Sequence, residues 1–391
     1  MRDSKDEIIK EKVPKKKLKL LPKSNKLKAL FFVELLVAMA FMVMMLLVDA
    51  LPKKAALIIM IVLVALIVAS LLLLRNRGKL PTKRRMGTVL ACVTILIFGA
   101  GTYYLGTAFS MLNRISSSKI ANSGADITNE PTNIYITGND LWGDNEDDYK
   151  RSDMNMIVTI NPTTRKILMT SIPRDSYVAL HKNGQMDKLT HTGMYGVDET
   201  LNTVTDWLGY DFDYYLSVNF SAVVNVIDAM GGITVESPKD FESAIADYSY
   251  VKGENTLTGM EALYFARERK AFTEEGDEQR VKNQQAVMTA MINKLTSSKT
   301  LLANYSDLLD AMGDNLETNL STQDMSALVK MQLEDMAGWE ITQQEITGSG
   351  AMRTVASLSS ANEYSVQIPD SSSVAAAIDG IDKVMHPTDA E

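Results

Sequence analysis

Three apolar stretches, at about residues 29–51, 55–74 and 87–109, follow one another near the N-terminus with only short polar breaks between them. Each is close to the roughly 20 residues that an α-helix needs to cross about 30 Å of hydrocarbon. In lipid every backbone N–H and C=O must be satisfied within the spanning structure, so isolated runs of this kind fold as helices. A cleaved leader offers one shorter apolar segment and a small-residue cleavage site, not three spans in series. The sequence therefore predicts a basic tail over 1–28 and three transmembrane helices over 29–109.

Basic residues set the expected orientation. Residues 1–28 hold eleven Lys or Arg, and the second connection carries Arg75, Arg77, Lys79, Lys83, Arg84 and Arg85, whereas the first carries only Lys53 and Lys54. Positive loops stay cytoplasmic, which predicts a cytoplasmic N-terminus and an extracellular C-terminal region beginning near residue 110. Residues 110–391 hold 21 of the 40 basic and 42 of the 48 acidic residues, so this region carries about −21. Such a surface is a poor partner for nucleic acid, and the basic tail is expected to meet anionic membrane lipids. The only cysteine, Cys92, lies in the third apolar span, so the C-terminal region has neither disulfide nor thiol chemistry. It needs an ordinary buried core, which a chain of that length can supply. Glu34 falls inside the first span and reads most simply as a neutral acid or an end residue near the head groups.

Residues 110–132 are polar and weakly patterned, as in a juxtamembrane linker. Beyond them, β-branched runs at 133–138, 155–160, 166–172 and 214–220 read as strands, as does Ile233–Ser237. Helical spacing marks 197–208, a segment at 223–232 closed by glycine, and about 277–297 with Val281, Met288, Met291, Ile292 and Leu295 in phase. The alternation continues to the C-terminus and predicts one α/β domain over 133–391 with a central mixed sheet.

Three histidines and one membrane cysteine leave little for a His-based metal site or a Cys–His nucleophile, and no serine sits in a G-x-S-x-G elbow. Arginine is distributed unevenly instead. Of the seven arginines after Arg114, five lie in three short segments among carboxylates: Arg151 and Asp153 near Asp140, then Arg174–Asp175, then Arg267 and Arg269 with Asp277 and Arg280. Arg174 follows a strongly apolar strand that would hold it rigidly. Arg267 and Arg269, two apart, share a face if the segment is extended. Asp277, Arg280 and Gln284 share a face at the start of the long helix, where the helix N-terminus favours anions. Guanidinium forks match phosphate oxygens bidentately, and Asp140 and Asp153 suit Mg²⁺, which takes one or two carboxylates plus substrate phosphates. Residue order alone leaves phosphate and carboxylate ligands both open, and exposed ion pairs of little consequence as a further reading.

The segment 133–298 resembles the catalytic domain of the LytR–CpsA–Psr family of Gram-positive cell envelopes. The matching residues are ITGND (136–140), RSDMNMIVTINPTTRKILMTSIPRDSYV (151–178), DKLTH (187–191), VNFSAVVNVIDAMGGITV (218–235) and GENTLTGMEALYFARERK through GDEQRVKNQQ (253–285). The resemblance implies a multi-pass enzyme of the cell membrane. It would transfer a glycopolymer as a sugar-1-phosphate from a polyprenyl-(pyro)phosphate carrier to a peptidoglycan hydroxyl. Carried over residue by residue, it implies Mg²⁺ or Mn²⁺ on Asp140, Asp153 and Asp277. Arg174, Arg267, Arg269, Arg280, Gln284 and Lys188 would bind the pyrophosphate, with Asp175 or Asp153 as the proton acceptor. Asn283 departs from the arginine that the family often places before the glutamine. A lipid tail needs a dry groove, and the methionines and aliphatics of 223–231 and 281–295 would line either that groove or plain core. A pyrophosphatase with water as acceptor, and a non-catalytic envelope regulator, are the competing functions.

Overall fold

The three apolar runs fold as helices, α1 (Asn25–Val48), α2 (Lys53–Arg75) and α3 (Pro81–Ile115), all long and apolar enough to cross a membrane. The computed structural model describes residues 21–22, 24–75, 81–116, 120–139, 151–272, 276–297, 305–313, 316–358 and 362–387. The basic tail over 1–20 lies outside them. Glu34 is buried between α1 and α2. It is 1% exposed and accepts a hydrogen bond from Ser70 Oγ at 2.8 Å, so it joins α1 to α2.

The chain forms two compact units, Met1–Val43 with Leu57–Thr102, and Met44–Ala56 with Tyr103–Glu391. The α1–α2 connection and the last turns of α3 thus belong to the C-terminal unit. At about 1.5 Å per residue the 35-residue α3 is roughly 52 Å long, well beyond one bilayer crossing. The stretch expected as a linker is therefore partly helix, and Ile127 within it is 1% exposed and packed in core.

The C-terminal unit continues with β1 (Thr132–Asn139), β2 (Ser152–Asn161), β3 (Lys166–Ile172), β4 (Tyr177–Ala179), β5 (Met186–Lys188), α4 (Leu189–Thr192), α5 (Val197–Leu208), β6 (Tyr214–Asn219) and α6 (Phe220–Ala229). Then come β7 (Ile233–Ser237), β8 (Phe241–Glu242), β9 (Ser249–Tyr250), β10 (Gly253–Leu257), α7 (Gly259–Arg267), α8 (Gly276–Leu295) and α9 (Tyr305–Met312). It ends with β11 (Leu316–Thr318), α10 (Thr322–Asp335), β12 (Glu340–Glu345), β13 (Gly348–Arg353), β14 (Tyr364–Pro369) and α11 (Ser371–Met385). The central sheet has the order β11-β6-β1-β2-β3-β12 and is mixed, with β1–β6 and β3–β12 parallel and the other pairs antiparallel.

Alternation along the strands sends side chains to two cores. Tyr135, Ile157, Leu168 and Tyr215 pack with Leu201 and Val204 of α5 and Ile381 of α11. Ile134, Ile136, Met156, Val158 and Met169 face the other way, toward Met288 and Ile292 of α8 and Met325 and Leu328 of α10. With both faces covered, β1 reads buried along nearly its whole length. A third core joins α6, α7, α8 and α9 to the β7–β10 hairpin. There Gly231 and Gly232 at φ 74° and 83° turn the chain out of α6, and a Cβ on Gly232 would lie 2.8 Å from the Leu257 carbonyl.

Candidate active site

The register places the ends of several strands together. Since β1 is antiparallel to β2, β2 antiparallel to β3, and β1 parallel to β6, one end of the sheet collects Asn139, the start of β2, Ile172 and Asn219. Arg174 and Asp175 follow β3 at this end, and Phe220 opens α6 there.

Asp153 sits in a β-bulge. Gly138 pairs with Met154 and Asn139 with Ser152, so Asp153 is the extra residue of β2. Bulges re-aim side chains and are common beside active sites. A buried polar ladder fixes this one: Tyr135 Oη donates to Asn155 Oδ1 at 2.6 Å, Ser152 Oγ donates to the same oxygen, and the Thr137 and Ser152 hydroxyls are 2.6 Å apart. Burial pushes the Tyr135 phenol far above its usual range, so it stays a donor.

Arg174 Nη1 donates to Asp153 Oδ1 at 2.7 Å, and its Nε lies 3.6 Å from Asp175 Oδ2. Lys188 Nζ donates to Asp175 Oδ1 at 3.0 Å, and Thr190 Oγ1 reaches Asp153 Oδ1 at 3.4 Å. Two cations and two carboxylates, all partly buried, form one connected group. The DKLTH segment holds it from behind: the Thr190 and Leu189 amides donate to the Arg174 and Ser176 carbonyls at 2.8 and 2.9 Å. Asp187, fully buried, accepts from His191 Nδ1 and from the Ser357 amide, each at 2.7 Å. Burial alone would raise the Asp187 pKa, but hydrogen bonds from His191, Ser357 and the Lys188 amide outweigh it and leave the pKa below its ordinary value.

Arg267 reaches the same end by another route. Thr258 and Glu261 form a capping box that starts α7, and Gly259 lies so close to α6 that a Cβ would sit 2.2 Å from the Val224 carbonyl. Arg267 is the last residue of this helix, with its guanidinium 4.8 Å from the centre of the Phe220 ring. Arg267 is thus helical and only Glu268 after it has extended backbone, so the condition under which Arg267 and Arg269 would share a face is not met over the whole segment. Glu268, fully buried, ends the helix by accepting from the Ala244, Arg269 and Ala271 amides and from Ser243 Oγ, and Arg269 beyond it is exposed. Arg280 is partly buried in the second turn of α8, on the same face as Gln284 one turn on.

Between the sheet and α6, α8 and α10 lies a cavity of about 470 Å³ with an almost entirely apolar lining. Its polar residues at the sheet end are Arg267 and Gln284, beside Gly138 and Phe220, while Val223, Val226, Met288, Met291, Ile292 and Leu295 line its length. The helix faces predicted for groove or core thus line a cavity.

Of the sequence-predicted residues, contacts join Asp153, Arg174, Asp175 and Lys188, while Arg267 and Gln284 meet at the cavity. Asp140 and the side chain of Asp277 lie outside the described residues. Thr190 and Asn139, within the DKLTH and ITGND motifs, carry no charge or spacing that would mark them in the sequence. Among the described residues no group of three His, Cys, Asp or Glu side chains could hold a metal. A cation that takes most of its oxygens from substrate phosphate and water needs fewer protein ligands. Asn139 Oδ1, buried without a hydrogen-bond partner among the described residues, sits at the end of β1 where Asp153 begins β2, so the donor set here fits Mg²⁺ or Mn²⁺.

The LytR_cpsA_psr family model matches residues 102–376. This chain belongs to the LytR–CpsA–Psr family. The polyisoprenyl-teichoic acid–peptidoglycan teichoic acid transferase TagU of Bacillus licheniformis is 32% identical over 286 residues, covering 71% of this chain and 90% of the relative. TagU of Bacillus subtilis is 33% identical over 261 residues, covering 64% and 83%. Among solved structures, Bacillus subtilis TagV aligns at 28% identity and a TM-score of 0.55, covering 66% of this chain and 98% of TagV. TagT bound to LIIa-WTA aligns at 26% identity and a TM-score of 0.56, covering 69% and 98%. As a LytR–CpsA–Psr protein this chain is a transferase with a central mixed α/β sheet, and three apolar helices precede its catalytic domain.

Proposed function

We propose that this transferase moves a glycopolymer, as a sugar-1-phosphate, from a polyprenyl-(pyro)phosphate carrier to a peptidoglycan hydroxyl outside the cell membrane. The observation that carries the reading is an apolar cavity with Arg267 and Gln284 in its lining, at the sheet end that also carries the Arg174 group. An isoprenoid tail fits the former and a diphosphate the latter. The names of the relatives, which specify teichoic acid and peptidoglycan, agree with it.

In this mechanism the acceptor hydroxyl attacks the phosphorus that bears the sugar. The bond from that phosphorus to the bridging oxygen breaks, and the lipid monophosphate leaves. Arg174, Arg267 and Arg280 offset charge on the bridging and non-bridging oxygens, with Gln284, Lys188 and Arg269 as further contacts. Asp175, held by Lys188 and 31% exposed, accepts the hydroxyl proton. Asp153 and Asn139, with Asp140 and Asp277, would hold Mg²⁺ or Mn²⁺, which when bound supplies charge neutralisation at the phosphates.

The test supplies the full-length protein in vesicles with labelled lipid-linked glycan and peptidoglycan. Label on the peptidoglycan is expected. Label released as free sugar phosphate would make the protein a hydrolase, and no turnover would leave an envelope regulator.

A further inference from the structure

The cavity has a second end, and the chain's own tether helix forms part of it. Because β11 is antiparallel to β6 and β12 parallel to β3, β11 finishes and β12 begins at the sheet end remote from Arg174. The helix α10 joins these two strands, so it crosses that far end, and Met325, Leu328 and Val329 from it line the cavity. Leu112 of α3 lines the cavity beside them. Leu112 and Ala108 are 1% and 2% exposed and pack against Met325. Two polar contacts fasten α10 to the same neighbours. Thr322 Oγ1 donates to Asn113 Oδ1 at 2.8 Å, and Lys330 Nζ donates to both oxygens of Asp49 at 2.9 Å.

A cavity of about 470 Å³ is the size that encloses one drug-sized ligand. It cannot hold a long polyprenyl chain whole. With the diphosphate at Arg267, the rest of the chain has to leave at the opposite end. We infer that the polyprenyl tail passes through the seam between the last turns of α3 and α10, with α10 as the movable wall. The inference rests on the lipid-carrier reading above. The seam is apolar where Leu112 meets Met325, so a tail threading it stays out of water. On the side facing α3, α10 is fastened by the Thr322 hydrogen bond and by one ion pair with Asp49 69% exposed, both weak. Gln332 on the Thr296 carbonyl and Asp335 on Arg165 hold the helix end that lies away from the seam.

The experiment uses the full-length protein with Cys92→Ser, Asp49→Cys and Lys330→Cys, joined by a short bis-maleimide. Neither Asp49 nor Lys330 lines the cavity. Transfer is measured from a long polyprenyl carrier and from a short, water-soluble isoprenyl carrier. Cross-linking should slow the long carrier at least about tenfold and the short one less than about twofold. Leu112→Trp, which fills the seam without a cross-link, should discriminate in the same direction. Equal rates with and without the cross-link, or equal slowing of both carriers, would overturn the inference while leaving the transferase reading intact. Failure of the unlinked protein to use either carrier would sink both.

Discussion

Asn283 Nδ2 donates to the Phe265 carbonyl at 3.0 Å, and this bond ties the second turn of α8 to the last turn of α7. Asn283 is 1% exposed, and its Oδ1 accepts from Gln279 Nε2 at 2.9 Å. The departure from the family's arginine therefore has a structural content here: the side chain adds a second hydrogen bond to a helix-end carbonyl that already accepts from the Glu268 amide, two residues before Arg267. Replacing it with alanine takes one of that carbonyl's two hydrogen bonds and leaves the buried Gln279 amide without this acceptor, a loss of about 1–3 kcal/mol. Asn283→Ala should lower the denaturant midpoint accordingly and reduce transfer by loosening Arg267. Unchanged stability would show that Gln279 finds another acceptor and that the Glu268 amide suffices for the carbonyl.

Arg174 and Arg267 lie on different elements yet at one sheet end. Acting on one diphosphate, each supplies a charge-assisted contact of roughly 1.5–3 kcal/mol, or about tenfold or more in rate. As independent surface pairs each would matter by only about 0–1 kcal/mol. Arg174→Ala and Arg267→Ala should each reduce transfer by at least about tenfold, with the double variant little worse than the worse single. Lysine should rescue poorly because a point charge cannot reproduce the fork. Full activity in both folded single variants would remove the site assignment.

Asp153 tests the metal. If it holds Mg²⁺ or Mn²⁺, excess chelator abolishes transfer and either ion restores it. Asp153→Ala should then cost more than Asp175→Ala and raise the metal concentration needed for half-maximal rate, whereas Asp175→Ala should leave that concentration unchanged. Transfer at full rate in chelator would dispose of the metal.

Much of the fold is legible in the residues because its elements carry strong periodicity. The strands Lys166–Ile172 and Ile233–Ser237 and the helix Val197–Leu208 fall where β-branched runs and helical spacing put them. The Arg267–Glu268–Arg269 segment was not legible in the same way. The two-residue spacing aligns both arginines only on an extended segment, while the Thr258–Glu261 capping box and the helix formers after it, visible in the sequence, end in a helix at Arg267. The position of Asp153 depends on a bulge, and an extra residue shows itself only against the opposing strand. The cavity is hidden for a related reason. A methionine-rich helix face shows which side is apolar, but not whether the next layer closes on it.

Glu345, at the site end of edge strand β12, gives a pH-dependent prediction. Burial and repulsion from Glu278, only partly offset by Lys282, push its pKa from the ordinary 4.5 to about 7. The fold thus prefers the protonated form. Its stabilising contribution is complete below the unfolded value and is lost as pH rises through about 7. Glu345→Gln keeps the shape and cannot titrate, so it should gain on the parent protein by on the order of 2 kcal/mol at pH 8 relative to pH 5. Glu278→Gln should recover part of that difference by removing the like charge, and Lys282→Gln should enlarge it. Thermal denaturation of the parent and the three variants across this range measures the effect. Parallel stability curves for parent and Glu345→Gln would mean that the carboxylate stays solvated in the folded protein.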